Sequence, residues 1–168
     1  DLIVGLTALV AEYNGVEKAQ HIRHNIADLI SIAELVYGTG IAAAVRAKPS
    51  SSGTYMPDVV FCNVARRHAG ENVYDEYKIL CEVAGGLPAT LPTEEDFFNE
   101  ITGPMLNKYI MRKADVPAEY QNRCFRAVSD IIASGFGAHR MVAGLHGGGS
   151  PIMEVIALLA NYDLNAKK

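Results

Sequence analysis

Apolar residues recur at steps of three and four along most of the chain, which is the spacing of one face of an α-helix. Three long stretches carry this pattern: residues 16–47, 58–84 and 118–143. At 1.5 Å per residue, each would form a helix roughly 35–45 Å long. These lengths predict an elongated bundle rather than a small globular ball. The stripe of the first stretch contains Ile22, Ile26, Leu29, Ile30, Ala33, Val36 and Gly40.

Shorter helices are predicted over residues 2–13, 94–100 and 151–162. An Asn-Gly pair ends the first of them, and Thr93 caps the acidic first turn of the second. Residues 48–53 form a polar turn, and no stretch alternates with the period of a β-strand. The sequence therefore predicts an all-α antiparallel bundle of four or five helices.

Small residues are numerous inside two of the long helices, at Gly38, Gly40 and 42–44 in one, and at Gly135, Gly137 and 143–144 in the other. Glycine costs a helix interior about 1 kcal/mol relative to alanine, so such positions need a reason. One reason is close approach of two helices. The other is a surface where a ligand or another subunit lies against bare backbone.

Composition narrows the class of protein. The chain has 168 residues, 49% of them hydrophobic and 20% charged, with a net charge of −4. This excludes intrinsic disorder and gives no general attraction to nucleic acid or anionic lipid. No apolar run approaches the roughly 20 residues of a membrane span, so no membrane partner is expected. A slightly positive mean hydropathy favours burial against a partner subunit or another domain.

Cysteine usage and the first residue indicate the context of the chain. The three cysteines, Cys62, Cys81 and Cys124, form no CxxC pair, which is typical of reduced thiols in a cytoplasmic protein. The chain begins at Asp1 and runs directly into apolar sequence. We therefore interpret residues 1–168 as a single helical domain that is part of a longer chain.

Four of the five histidines, His21, His24, His68 and His139, are expected on polar helix surfaces, and no zinc or iron–sulfur site is predicted within the chain.

The fifth histidine, His146, opens the sequence HGGGSP between two predicted helices. Residues 146–150 (the histidine–glycine loop) leave backbone N–H groups free of side chains, which suits an anion or a flat ligand. An ordinary interhelical turn is the alternative. A second candidate, the pair Gly85 and Gly86, could be a plain helix C-cap or could let a cofactor approach the backbone.

Three segments together resemble one known family. They are AEYNGVEKAQHIRHNIADLISIAELVYGTGIA, AGGLPATLPTEEDF and HGGGSP. They are similar to the C-terminal domain of the 4-hydroxybutyryl-CoA dehydratase/vinylacetyl-CoA isomerase family, whose wider group includes flavin-dependent 4-hydroxyphenylacetate 3-hydroxylases. The resemblance implies an acyl-CoA dehydrogenase-like enzyme with N-terminal and middle domains before this helical bundle. It also implies a cytoplasmic homotetramer acting on an acyl-CoA or a phenol, with FAD held between domains and neighbouring subunits.

The resemblance also assigns site residues. Glu82, Gly85, Gly86 and Leu87 match the segment beside FAD. Gly147, Gly148, Gly149 and Ser150 match the loop near flavin and substrate, where His146 is the candidate for proton transfer because imidazole changes charge near neutral pH.

Two departures from the dehydratase pattern concern chemistry. The dehydratase ligands to a [4Fe–4S] cluster would lie upstream of residue 1, so this chain would carry none of them. The dehydratase also has a catalytic Glu where this chain has Ala143, and a methyl group cannot move a proton. The sequence thus favours the C-terminal FAD-contacting and oligomerisation domain of a dehydratase-like enzyme, inactive by itself. The alternatives are a 4-hydroxyphenylacetate 3-hydroxylase-type monooxygenase component and a non-catalytic helical oligomerisation module.

Overall fold

The computed structural model describes residues 1–147 and 149–168, which form eight α-helices and one short hairpin. The helices are α1 (Leu2–Tyr13), α2 (Gln20–Val45), α3 (Val59–Ala84), α4 (Glu94–Phe98), α5 (Thr102–Ile110), α6 (Ala118–Ala133), α7 (Gly135–Gly147) and α8 (Pro151–Asn161). The hairpin pairs β1 (Lys48–Pro49) with β2 (Tyr55–Met56) in antiparallel register. Short 3₁₀ turns cover Leu87–Ala89 and Asn165–Lys167. The predicted all-α class is confirmed.

The chain divides into two compact units. Unit 1 contains Asp1–Ile30 and Asp75–His139, and unit 2 contains Ser31–Tyr74 and Arg140–Lys168. Because α2, α3 and α7 each contribute to both units, neither unit is a continuous stretch of sequence.

The hydrophobic core of unit 1 lies among α1, α3 and α6. Phe125 and Val128 of α6 are fully buried with Val10 of α1 and Leu80 of α3. The loop before α6 is held by one buried side chain, Gln121. Its Oε1 accepts from the N–H of Arg112 at 2.6 Å, and its Nε2 donates to two carbonyl oxygens, those of Lys113 at 3.0 Å and Val116 at 2.9 Å.

Unit 2 contains the hairpin and the first part of α3, together with parts of α2 and α7 and the whole of α8. Asp58 caps α3, since its Oδ1 accepts from the N–H groups of Val60 at 3.0 Å and Phe61 at 3.2 Å. Its own N–H donates to the carbonyl oxygen of Ala43 at 3.0 Å, which ties α2 to α3. Buried side chains here include Asn63 and Glu154, each 3% exposed.

One predicted helix is broken in the structure. The pattern over 118–143 predicted a continuous helix, but α6 ends at Ala133 and α7 begins at Gly135. Between them Ser134 is extended, and its hydroxyl donates to the carbonyl oxygen of Asp130 at 2.5 Å and accepts from the N–H of Gly137 at 3.0 Å. The serine therefore satisfies both helix ends, and the break costs few hydrogen bonds.

Three further details differ from the sequence expectations. Helix α5 was not predicted, the polar turn at 48–53 is part of the hairpin, and the helix count exceeds five. By length and composition alone, α2 also reaches the size of a membrane span, contrary to the sequence expectation. Length and composition do not by themselves assign this helix to a membrane, because helices of soluble proteins pass the same test.

Candidate functional site

The double glycine lies at the C-terminal end of α3, in unit 1. Gly85 has a φ of +70°, a left-handed conformation that favours glycine, and its N–H donates to the carbonyl oxygen of Cys81 at 2.9 Å. Gly86 has a φ of −78°, which any residue adopts, and a Cβ there would meet no described atom within 4 Å. Helix termination thus explains Gly85, whereas nothing in the described chain requires glycine at 86.

The neighbours of this pair have different surroundings. The carboxylate of Glu82 is exposed and lies 3.6 Å from the Nζ of Lys78, one helical turn away. Leu87 is half-buried and packs against the core of unit 1. Asn14 donates from Nδ2 to the carbonyl oxygen of Val83 at 3.2 Å, so it satisfies part of the helix end. The exposed backbone of Gly85 and Gly86 can contact a flat ligand directly, because neither residue has a side chain that would separate the ligand from the backbone.

The histidine–glycine loop lies in unit 2. Helix α7 runs through Gly147, so His146 sits in its exposed last turn rather than at the start of a loop. Gly148 lies outside the described residues. Gly149 has a φ of +105°, and its N–H donates to the carbonyl oxygen of His146 at 3.0 Å. Ser150 is the N-cap residue of α8, with its carbonyl oxygen accepting from the N–H of Met153 at 2.9 Å.

Arg66 lies beside the histidine–glycine loop, and the sequence analysis did not identify it as a site residue. A Cβ built on Gly149 would lie 2.5 Å from Arg66 Nη2, so the guanidinium lies directly against the glycine backbone. Its Nη1 donates to Oδ1 of the buried Asn63 at 2.9 Å, which fixes its position. The guanidinium and the N-terminal end of α8 both carry positive charge. Helical spacing places Arg66 on a polar face of α3, and no local signal connects it to a loop 80 residues away.

Metal and thiol chemistry have little support in the described part of the chain. No group of three His, Cys, Asp or Glu side chains there could hold a metal ion. The three cysteines are free. Burial raises the pKa of the Cys124 thiol to about 11 and also raises the pKa of Cys81, so both thiols are protonated at neutral pH. Neither is an activated nucleophile.

Comparison with known proteins decides the family. The family model described as 4-hydroxyphenylacetate 3-hydroxylase C terminal matches residues 1–168. The chain belongs to this family. The whole chain is also 28% identical to the 4-hydroxybutyryl-CoA dehydratase/vinylacetyl-CoA-Δ-isomerase of Clostridium aminobutyricum, of which it covers 36%.

Two solved structures of family relatives share the fold. One is an oxygen-tolerant archaeal 4-hydroxybutyryl-CoA dehydratase from N. maritimus, with a TM-score of 0.92 and 29% identity over 99% of this chain and 33% of that one. The other is the oxygenase component of 4-hydroxyphenylacetate 3-monooxygenase complexed with FAD and 4-hydroxyphenylacetate, with a TM-score of 0.91 and 27% identity over 98% and 34%. The chain therefore spans about a third of these relatives, which are enzymes.

Proposed function

We propose that this chain is the C-terminal FAD-contacting and oligomerisation domain of a longer, cytoplasmic flavin-dependent enzyme of the dehydratase/isomerase type. The observation that carries the proposal is the match of the entire chain to the Clostridium dehydratase at 28% identity. Because the chain covers 36% of that relative, the proposed enzyme also has N-terminal and middle domains. Its substrate would be an acyl-CoA, and neither nucleic acid nor a membrane is among its proposed partners.

The two glycine segments fit a bound FAD. Gly86 is exposed, and a Cβ there would meet no atom of the described residues within 4 Å, so a ring can approach its backbone at van der Waals distance. The apolar Leu87 and the exposed Glu82 flank that approach. In the histidine–glycine loop, Gly147 is equally open, and Ser150 makes no side-chain capping hydrogen bond to α8, which leaves its hydroxyl for a ligand. When bound, FAD supplies redox chemistry, and these residues position it.

Gly86 offers a direct test of flavin contact. In the full-length protein, Gly86→Leu should weaken flavin retention because the added side chain fills the space above the backbone. Ala166→Leu is the control, since Ala166 is exposed in the 3₁₀ turn Asn165–Lys167 and lies outside the proposed site. Equal flavin content after gel filtration in both variants would remove Gly86 from the proposed site.

His146 is the proposed proton-transfer residue of this chain. It is exposed in the last turn of α7, where a substrate in the assembled enzyme could reach the imidazole. Its role would be to hold or move a proton at the substrate in the assembled enzyme. Wild-type turnover by full-length His146→Ala would exclude this role.

A monooxygenase of the 4-hydroxyphenylacetate 3-hydroxylase type, acting on a phenol, is the second candidate. Ala143 favours it, because the residue is exposed on α7 and supplies no carboxylate for dehydration. Any [4Fe–4S] cluster of the dehydratase branch would be held by residues outside this chain. A non-catalytic oligomerisation module is the third candidate.

Assembly into a homotetramer is supported by exposed apolar residues on α2. Tyr37, Ile41 and Val45 are large, exposed and close to Gly38 and Gly40, where a Cβ would meet no described atom within 4 Å. Packing within the described chain therefore does not account for these glycines. A second subunit lying against this helix would cover the apolar side chains and contact the bare backbone.

Ile41→Glu should therefore lower the oligomeric state measured by light scattering. Exposed Lys48→Glu, a control that changes the charge outside the helix, should not. An unchanged mass in both variants would place the subunit contact elsewhere.

An anaerobic absorption spectrum and iron analysis of the full-length protein would separate the three candidates. Flavin with stoichiometric iron indicates the dehydratase branch. Flavin without iron indicates the monooxygenase branch. A protein that retains neither would contradict both enzyme proposals and leave the oligomerisation module.

A further inference from the structure

Glu154 is a buried carboxylate that has no partner in the described part of the chain. It lies in the first turn of α8, and the residue is 3% exposed. Its side chain makes no hydrogen bond or ion pair with any described residue. Glutamate is almost never fully buried unless its charge is paired, because an unpaired carboxylate loses its hydration and gains nothing in return. The group that pairs with Glu154 therefore lies outside the described residues.

The carboxylate lies against α3 and keeps an accessible edge. Both of its oxygens lie 3.8 Å from the position that a Cβ of Gly70 would occupy, and Leu145 Cδ1 of α7 lies 3.9 Å from the same position. Neither oxygen is among the fully enclosed unpaired atoms of the described residues, so the small exposed surface of Glu154 includes the carboxylate. Arg66, one helical turn before Gly70, donates to Asn63 and forms no ion pair with Glu154. A cationic group from elsewhere can thus reach the carboxylate.

The surroundings of Glu154 indicate that a protein surface, rather than a free amine, brings this cation. Ile152, Met153 and Ile156 of α8 are 63%, 54% and 51% exposed. Glu154 is the only charged residue of this helix. A small amine would leave the three apolar side chains in water, whereas a protein surface would cover them.

The complementary charge is present on the same chain. An open hollow of about 530 Å³ lies in unit 1 at the beginning of α2, lined by Lys18, Gln20, Arg23, His24 and Ala27. None of these residues is acidic, and in the described chain neither Lys18 nor Arg23 makes an ion pair. In a symmetric homo-oligomer, a residue of one copy contacts a different residue of the next copy, and the contact is repeated in the other direction. Each copy can therefore supply both the acid and the cations.

We propose that Glu154 of one copy pairs with Arg23 and Lys18 of a second copy, at a contact where α8 packs against the beginning of α2. The inference rests on the proposed assembly into a homo-oligomer. Arginine can donate two parallel hydrogen bonds to a carboxylate, which favours Arg23 as the closer of the two cations. The apolar side chains of α8 exclude water from the pair, and an ion pair is stronger where the effective dielectric constant is low.

Glu154→Gln in the full-length protein tests the pair, because it keeps the shape of the side chain and removes its charge. Loss of one partner leaves the other charge buried and unpaired, so we expect the dissociation constant of the oligomer to rise at least about tenfold. Sedimentation of a dilution series measures this constant. Glu100→Gln removes an exposed charge before α5 and should change it less than about twofold. A Glu154→Gln oligomer as tight as the wild type would overturn the proposal.

Variants of the hollow identify the partner. In a protein that already carries Arg23→Gln and Lys18→Gln, adding Glu154→Gln should raise the dissociation constant less than about twofold, because the pair is already broken. Effects that multiply in full would show that the groups act independently and would contradict the pairing. The melting temperature of the dissociated protein should not fall in Glu154→Gln, since the carboxylate is unpaired there. A fall would instead assign Glu154 a structural role within one copy.

A structure of the assembled full-length protein tests the contact without relying on reversible dissociation. A nitrogen of Arg23 or Lys18 from a second copy within about 4 Å of the Glu154 carboxylate supports the proposal. Another segment of the same chain, a small molecule or solvent in that place refutes it. A wild-type protein that stays monomeric at every concentration removes both the proposed assembly and this contact, whereas an oligomer that Glu154→Gln leaves unchanged removes the contact alone.

Discussion

Asn122→Leu should stabilise the folded protein. The native carboxamide is 5% exposed and its Oδ1 has no partner among the described residues. A buried, unsatisfied polar atom costs about 1–3 kcal/mol, and leucine removes that cost. Leucine is somewhat larger than asparagine, but the adjoining cavity of about 290 Å³ can accept the extra methyl volume without overpacking.

The net expectation is a gain of about 1–2 kcal/mol in the free energy of unfolding, since part of the benefit is offset by imperfect packing. For a domain of this size, each kcal/mol would shift the melting temperature by roughly 2–4 °C, and the shift is smaller in a longer chain because the entropy of unfolding grows with chain length. Differential scanning calorimetry of the full-length, ligand-free protein would measure the shift. Asn161→Leu, on the exposed surface of α8, should stay within about 0.5 kcal/mol of the wild type.

A decrease of more than 1 kcal/mol for ligand-free Asn122→Leu would refute the reasoning, because it would mean that the carboxamide is already satisfied in the free protein. Such a result would make Asn122 a structural residue of α6.

Three further predictions follow from individual side chains. Burial raises the pKa of Glu76, so the charged carboxylate destabilises the fold when the pH is above the ordinary carboxyl pKa of about 4.3. Glu76→Gln should therefore increase the free energy of unfolding at pH 7 and leave it unchanged at pH 3.5, as measured by urea titration. Gly103→Ala should lower the free energy of unfolding by more than about 1 kcal/mol, because the added Cβ would overlap the carbonyl oxygen of Phe97. Gly5→Ala, in open space on α1, should raise it by up to about 1 kcal/mol. A Gly103→Ala variant as stable as the wild type would contradict this prediction. With iodoacetamide at pH 8, exposed Cys81 should react slowly and buried Cys124 should react only on unfolding, which mass spectrometry would show.

The helices that sequence reasoning predicted well are those whose ends carry local signals. The predicted bounds of α1 match the observed ones, because Asn14 and Gly15 end the helix through local backbone conformation, independently of tertiary contacts. The same reasoning missed the break at Ser134. A serine is compatible with a helix interior, and only its hydrogen bonds to Asp130 and Gly137 show that two helices meet there.

The residues that sequence reasoning missed share a different property. Arg66 and Asn122 lie on helices whose spacing gives them no special position, and their importance arises from distant chain segments. Arg66 is placed by its hydrogen bond to Asn63 and by the backbone of Gly149. Asn122 matters because the packing of unit 1 buries its Oδ1 without a hydrogen-bond partner among the described residues. Tertiary packing creates both environments, and a single sequence does not specify it.

Glycines point to intermolecular contact only where the chain itself does not require them. Gly149 has a positive φ and leaves room for Arg66, so its own fold explains it. Gly38, Gly40 and Gly86 have no positive φ, and a Cβ at each would meet no described atom within 4 Å. Glycine carries an entropic cost at such positions, and nothing inside the described chain offsets it. Contact with a cofactor at Gly86 and with another subunit at Gly38 and Gly40 would supply the missing reason.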